Sequence, residues 1–160
     1  MRKGFTMIEL IFVIVILGVL ASVAIPRLAA TRDDAEVAKA ATNLTTAVSD
    51  ITAYYTAKGN FSGVSTDFTK VTNALDKTGN LKVKGNTTCV TIKVPQANQN
   101  QQSSKVNITL DFSGNGTSDA VCKQLKKLPG IKAMCGKSGD QESISNTCTI
   151  QVGGSGGINF

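Results

Sequence analysis

From Phe5 to Ile25 the chain runs for 21 residues with a single charge, Glu9. An α-helix needs roughly 20 apolar residues to cross the hydrocarbon core of a bilayer, so this segment is predicted to be one membrane-spanning helix. A short basic stretch, Met1-Arg2-Lys3-Gly4, precedes it. An ordinary secretory signal has the same layout, and Ser22-Val23-Ala24 supplies the small residues a signal peptidase accepts. On that reading the mature chain starts at Ile25 and is a soluble exported protein, either a binding module or a disulfide-stabilised hydrolase. Glu9 speaks against it. A carboxylate inside an apolar helix costs on the order of 3 kcal/mol on insertion scales and is retained where it has a partner, which a disposable signal does not need.

The rest of the chain is different material, rich in Thr, Asn, Ser, Gly and Lys. With 160 residues in all, it can bury one modest core, which favours one folded domain with appendages. The sequence holds neither His nor Trp, and its acidic residues are scattered. Imidazole-based acid, base and metal chemistry therefore has no residue to work with, and no enzymatic role is expected. The formal charge of +6 falls to +4 without Arg2 and Lys3, leaving 15 basic residues against 11 acidic ones. The lysines are dispersed along the sequence, so nucleic acid is a permitted partner and not the expected one. Cys89, Cys122, Cys135 and Cys148 lie in the second half with no CxxC pair among them. That pattern points to two disulfides and an oxidising compartment, beyond the inner membrane of a bacterium.

The residues Lys3-Gly4-Phe5-Thr6-Met7-Ile8-Glu9-Leu10, followed by the apolar run and Pro26, resemble the N-terminal signal of type IV prepilins and type II secretion pseudopilins. The resemblance is close over about the first 58 residues and is one of architecture beyond them. It implies cleavage by a prepilin peptidase between Gly4 and Phe5, and methylation of the new amino terminus on Phe5. It also implies that Glu9, five residues into the mature chain, pairs with the N-terminal amine of a neighbouring subunit; Phe5 and Glu9 would then carry the assembly contact. Gly18 and Pro26 stand where many members of that family have helix-weakening residues, and in some assembled pili the stretch between such residues loses its helical structure. Local physics agrees, since interior Gly costs about 1 and Pro about 3 kcal/mol relative to Ala, and Pro26 cannot donate to the Ser22 carbonyl. A static kink and melting on assembly are both compatible with that.

After Pro26, residues 28 to 58 contain no Gly or Pro and are dense in Ala, so the helix is predicted to continue. Val37, Ala41, Leu44, Val48, Ile51 and Tyr55 recur at alternating steps of four and three, the mark of one buried stripe facing a sheet. Asp34, Lys39, Asn43, Asp50 and Lys58 fall on the opposite side, and Gly59 offers a C-terminal cap. The cluster Arg32, Asp33, Asp34, Glu36 reads as a solvated face or as a register device between stacked subunits. Tyr54, Tyr55 and Phe61 read as core at the helix end, with an aromatic docking patch as the alternative.

Residues 60 to 85 read as a loop region, with a short helix over Phe68 to Leu75. Cys89 to Val94 and Val106 to Phe112 alternate apolar and polar residues, as two antiparallel strands joined by a polar loop would. Ser118 to Leu128 is predicted to be a helix begun near Asp119 and stopped by Pro129-Gly130. Thr147 to Val152 supplies a third strand, and the glycine-rich tail ending in Ile158-Asn159-Phe160 offers a short edge strand. Four cysteines allow three pairings, which the sequence leaves open. The expected pairing is Cys89 with Cys122, pinning the short helix to a strand, and Cys135 with Cys148, closing the loop from Gly136 to Asn146. Asp111, Ser113, Asn115 and Asp119 resemble the first part of a calcium loop. The twelfth position holds Cys122 in place of a bidentate Glu, so a plain strand-to-helix turn is the competing reading, and calcium is the one cofactor considered.

The expected fold is α+β: a long N-terminal helix, hydrophobic and then amphipathic, packed on a small antiparallel sheet in a disulfide-bonded, pilin-like head. The expected organisation is a leader over 1–4, a transmembrane and assembly helix over 5–26, and the amphipathic helix with its periplasmic or extracellular head over 27–160. The resemblance implies a structural subunit of a type IV pilus or secretion pseudopilus. Its partners would be copies of itself and other pilins, prepilin peptidase, the inner-membrane assembly platform and, before assembly, membrane lipid. A DNA-uptake pilin whose head binds nucleic acid is a variant that requires lysines gathered on one exposed face. Arg27, Arg32 and Lys39 flank the far end of the apolar run almost as strongly as Arg2 and Lys3 flank the near end, so charge orients the helix weakly. The cysteines decide for a head in the periplasm.

Overall fold

The computed structural model describes residues 4–96, 105–137 and 144–154. Most of the basic leader, most of the polar loop after Pro95, the middle of the 136–146 loop and the C-terminal tail with its suggested edge strand lie outside them. Contacts divide the chain into two compact units, Met1–Ala35 and Glu36–Phe160.

Helix α1 (Met7–Lys58) is unbroken through Gly18 and Pro26. Pro26 leaves the Ser22 carbonyl without its usual donor. The hydroxyls of Ser22 and Thr31 fold back onto the carbonyls of Val19 and Arg27, at 2.7 and 2.9 Å. In the first unit every large apolar side chain from Phe5 to Leu28 is more than half exposed. Such a surface needs an apolar environment from outside the chain, since water would charge roughly 25 cal/mol for each Å² left bare.

In the second unit α1 turns a narrow face inward. Val37, Ala40, Leu44, Ala47 and Ile51 are buried, while Ala41, Val48 and Tyr55 are half-buried shoulders. The stripe is therefore centred one step from the one expected. Both sets share Val37, Leu44 and Ile51, and the small alanines at 40 and 47 let neighbouring residues approach more closely than Val48 or Tyr55 would. The hydroxyls of Thr42, Thr45, Thr52 and Thr56 bond carbonyls four residues back, which satisfies them without a partner elsewhere. Gly59, at φ 72°, caps the helix by donating to Tyr55 O at 2.7 Å, as expected. Phe61 is fully buried against Tyr55, with ring centroids 5.1 Å apart, and Tyr54 donates to Ser62 O. The aromatic residues at the helix end thus belong to the core.

The loop reading of residues 60 to 85 needs correction. The short helix expected over Phe68 to Leu75 is a single 3₁₀ turn, Phe68–Lys70, capped by Asp67, and the segment contains a strand, β1 (Asn80–Val83). Asp76 builds the turn into β1. Its carboxylate accepts from Thr78 N, Thr78 Oγ1 and Asn80 N at 3.0, 2.8 and 2.9 Å, and Lys82 Nζ lies 3.1 Å away. Gly79, at φ 83°, completes the turn where a Cβ would sit 2.7 Å from Ile92 O. A tight turn at Lys84-Gly85-Asn86 leads into β2 (Thr87–Lys93), followed by β3 (Val106–Asp111) and β4 (Thr147–Gly153). The sheet is an antiparallel meander in the order β1-β2-β3-β4. Helix α2 (Ala120–Lys127) starts at its Asp119 cap, whose carboxylate accepts from Val121 N at 2.8 Å. It stops at Lys127, ahead of Pro129 as expected, and Pro129 then opens a further helix, α3 (Pro129–Met134), from the first turn, where its missing N–H costs nothing. Leu44, Ile51, Phe61, Leu81, Ile92, Ile108, Leu110 and Leu125 form one continuous core with Val121 and Ile131. The arrangement is the α+β, pilin-like one expected, with four strands among the described residues where three were expected there.

Two carboxylates tie the sheet to its loops. Partial burial pushes the Asp76 carboxyl up, but the Asn80 amide, the Thr78 hydroxyl and the Lys82 ammonium outweigh it and hold the group down at about 2. Lys93, at 2.8 Å, and the Ser113 hydroxyl and amide hold Asp111 down at about 2 as well. Both values lie below the unfolded value of 3.8, so the stabilisation they give is complete above pH 4 and is lost as pH falls from about 4 to 2. Water screens both sites in part, so together they contribute on the order of 2–3 kcal/mol. Urea midpoints of the chain in neutral detergent should fall steeply across that window, and Asp76→Asn with Asp111→Asn should flatten the fall. An unchanged acid limb in the double variant would mean that other groups govern it.

Candidate functional site

The chemistry-bearing end of the molecule is the start of α1. A Cβ added at Gly4 or at Gly18 would meet no atom of the chain within 4 Å, and neither glycine has a positive φ. The chain's own packing therefore demands neither of them. Phe5 is 92% exposed and stands just before the first residue that caps the helix.

Thr6 and Glu9 form a reciprocal pair. The Glu9 carboxylate accepts from Thr6 N and Thr6 Oγ1, both at 2.9 Å, and Glu9 N donates to Thr6 Oγ1 at 3.4 Å. This is a capping box, which satisfies backbone donors that the first turn of any helix leaves orphaned. Reasoning from the sequence passed over it, although Thr-x-x-Glu before an apolar run is its signature. Glu9 is also the single charged side chain along a shallow depression of about 620 Å³ lined by Phe5, Ile8, Leu10, Phe12 and Val13. A carboxylate is thus presented on an otherwise apolar helical surface. Its own helix engages one of its oxygens, and the surface around it needs cover.

The cysteines pair Cys89 with Cys122 and Cys135 with Cys148. The first bridge joins β2 to α2, and the second joins the end of α3 to β4. Three of the four calcium candidates, Asp111, Ser113 and Asp119, have partners within the chain. Asp111 accepts from the Ser113 hydroxyl, from Ser113 N at 3.0 Å and from Lys93 Nζ. Asp119 caps α2 and faces Lys84 at 3.5 Å, while Asn115 lies on an exposed turn. Gly116, between them, is fixed by packing: a Cβ there would sit 2.6 Å from Thr88 O and 2.5 Å from Cys122 Sγ. The geometry is that of a strand-to-helix turn. Among the described residues no group of three or more His, Cys, Asp or Glu comes together.

Among the described residues one helix, α1, is long and apolar enough to cross a membrane, with a mean hydropathy of 2.9 over its most apolar window. Residues 1–25 match the family model described as the prokaryotic N-terminal methylation motif, the signature of type IV pilin and pseudopilin precursors. No curated protein and no solved structure matches the chain.

Proposed function

We propose that this chain, which carries the N-terminal signal of a type IV pilin or pseudopilin precursor, is a structural subunit that polymerises through its apolar helix. The observation that carries the reading is a bare apolar helix surface with one carboxylate, lying inside the methylation motif. The precursor inserts in the bacterial inner membrane with its head in the periplasm, where the disulfides form and persist. A prepilin peptidase cuts between Gly4 and Phe5, and the amine of Phe5 is then methylated. The absence of any packing demand for glycine at position 4 fits a residue chosen by a processing enzyme and not by the fold. An assembly platform then lifts the helix out of the bilayer into a bundle of copies, which bury its apolar surface in place of lipid.

Inside that bundle the carboxylate of Glu9 neutralises the amine of Phe5 on a neighbouring copy. A charge buried alone costs several kcal/mol, and a paired one is tolerated. The capping box gives the carboxylate a partner during the transfer, so Glu9 need never be bare. Gly18 and Pro26 weaken the helix between them, which lets the segment adjust to its neighbours. Leader, assembly helix and head then occupy 1–4, 5–26 and 27–160.

Intact and N-terminal peptide mass of the protein from its own host tests this. The expected mature chain begins with N-methylated Phe5. A chain beginning near Ile25 would instead mean removal of an ordinary signal and a soluble exported domain.

A further inference from the structure

Although the lysines are dispersed in the sequence as a whole, α2 gathers several of them. Lys123, Lys126 and Lys127 stand at i, i+3 and i+4, which places them on one side of the helix, opposite the buried Val121, Cys122 and Leu125. Lys132 and Lys137 follow on α3 and at its end. From residue 112 to 137 the sequence has one acidic residue, Asp119, and it is occupied with the helix cap and Lys84. None of the five lysines makes an ion pair among the described residues. Lysines in the last turn of a helix complement its dipole, but Lys123 lies a turn earlier.

The face is also concave. A cleft of about 170 Å³ is lined by Lys123, Lys126, Thr117 and Asn146, with Phe112 and the Cys89–Cys122 bridge at its base. Lys126 is held in place: its Nζ donates to Asn146 Oδ1 at 3.2 Å and lies 5.7 Å above the Phe112 ring. The cleft is smaller than the roughly 300 to 1,000 Å³ of sites for drug-sized ligands. It suits a single oxyanion, flanked by further ammonium groups.

We propose that this face binds the phosphodiester backbone of double-stranded DNA. A row of lysines around an oxyanion-sized cleft fits a polyanion of regular spacing better than one small anion. The side chains of α2 that are not buried, Ala120, Lys123, Gln124, Lys126 and Lys127, include no large apolar group that would enter a bilayer, which disfavours an anionic lipid surface. Phe112, the aromatic ring at the cleft, is buried and offers no stacking platform for single-stranded bases. Contacts to phosphate alone make the binding independent of sequence. The face lies wholly in the second unit, so the inference stands apart from the filament reading.

The test is fluorescence anisotropy of a labelled DNA duplex titrated with the full chain in neutral detergent, over a salt series. Wild type should bind, and Lys123→Gln/Lys126→Gln/Lys127→Gln should lose about tenfold or more in affinity at low salt. Its log–log salt slope should be shallower by about 2 to 3. Lys58→Gln/Lys70→Gln/Lys77→Gln, which removes the same charge elsewhere, should keep most of the affinity and the slope. Equal losses in the two triple variants would overturn the proposal in favour of net charge alone. It would also be overturned if wild type failed to bind, or if the α2 triple lost binding to phosphatidylglycerol vesicles and kept its DNA affinity.

Discussion

Glu9→Ala should be inserted and trimmed like wild type yet give few or no filaments in the native host. Removing the carboxylate makes membrane insertion easier by about 3 kcal/mol on insertion scales, so neither synthesis nor cleavage should suffer. On the proposed assembly the loss falls at the later step, when the amine of Phe5 would leave the membrane surface and enter a dry helical bundle. Without a carboxylate to meet it, that ammonium is buried alone, at a cost of roughly 3–5 kcal/mol for each subunit added. Adding subunits to a polymer multiplies the penalty, so yield should collapse and not merely decline. Glu9 also caps its own helix through Thr6, and this second role needs its own control. Thr6→Ala removes the hydroxyl half of the box, worth about 1 kcal/mol of helix stability, and keeps the carboxylate. Filament yield by electron microscopy and shearing should be far higher for Thr6→Ala than for Glu9→Ala. Normal yield from Glu9→Ala would sink the pairing role, and equal defects would assign the effect to the cap.

Replacing Cys89 and Cys122 together by Ala should cost the head about 4 kcal/mol. The bridge spans 33 residues of sequence, against 13 for Cys135–Cys148, and the chain-entropy relation gives roughly 4 and 3 kcal/mol for loops of those lengths. Both sulfurs of the longer bridge are buried, so the double variant also leaves a void beside Gly116, where the turn approaches β2 most closely. Domains of this size are stable by about 5–15 kcal/mol in all, so the loss is a large fraction of the whole. With a urea dependence of 1–3 kcal/mol per molar, the midpoint of the full chain in neutral detergent should drop by about 2 M. The Cys135→Ala/Cys148→Ala chain should drop less. The reverse order would mean that the shorter bridge, between α3 and β4, holds the cooperative unit together.

The sequence carried the apolar start of the molecule most completely. A bilayer sets the length of an apolar helix, and a charge within it needs a reason, so Phe5 to Ile25 and Glu9 could be read without knowing what surrounds them. Strands β2, β3 and β4 were legible because their alternation runs for six or seven residues. Helix α2 was legible from Asp119, whose side chain acts on backbone two residues away. Strand β1 was missed because four residues carry too little alternation. It exists through its pairing with β2 and through a turn organised by Asp76, whose partners Thr78, Asn80 and Lys82 resemble ordinary polar loop residues until the chain folds. Pro129 stops α2 as expected, but α3 was missed, because the same proline also suits the first turn of a following helix. Burial of Ile131 against the core and the bridge from Cys135 to β4 hold that helix in place.

Local interactions and the thickness of a membrane are properties the sequence determines by itself: where α1 starts, that it is apolar, and which residue caps α2. Tertiary structure alone decided which cysteines pair, which alanines of α1 face inward, that a fourth strand joins the sheet, and that Lys123 and Lys126 border one cleft with Asn146. Each of these depends on residues distant in the chain reaching the same point in space. Their energies come from contacts of long sequence separation, whose partners no local window contains.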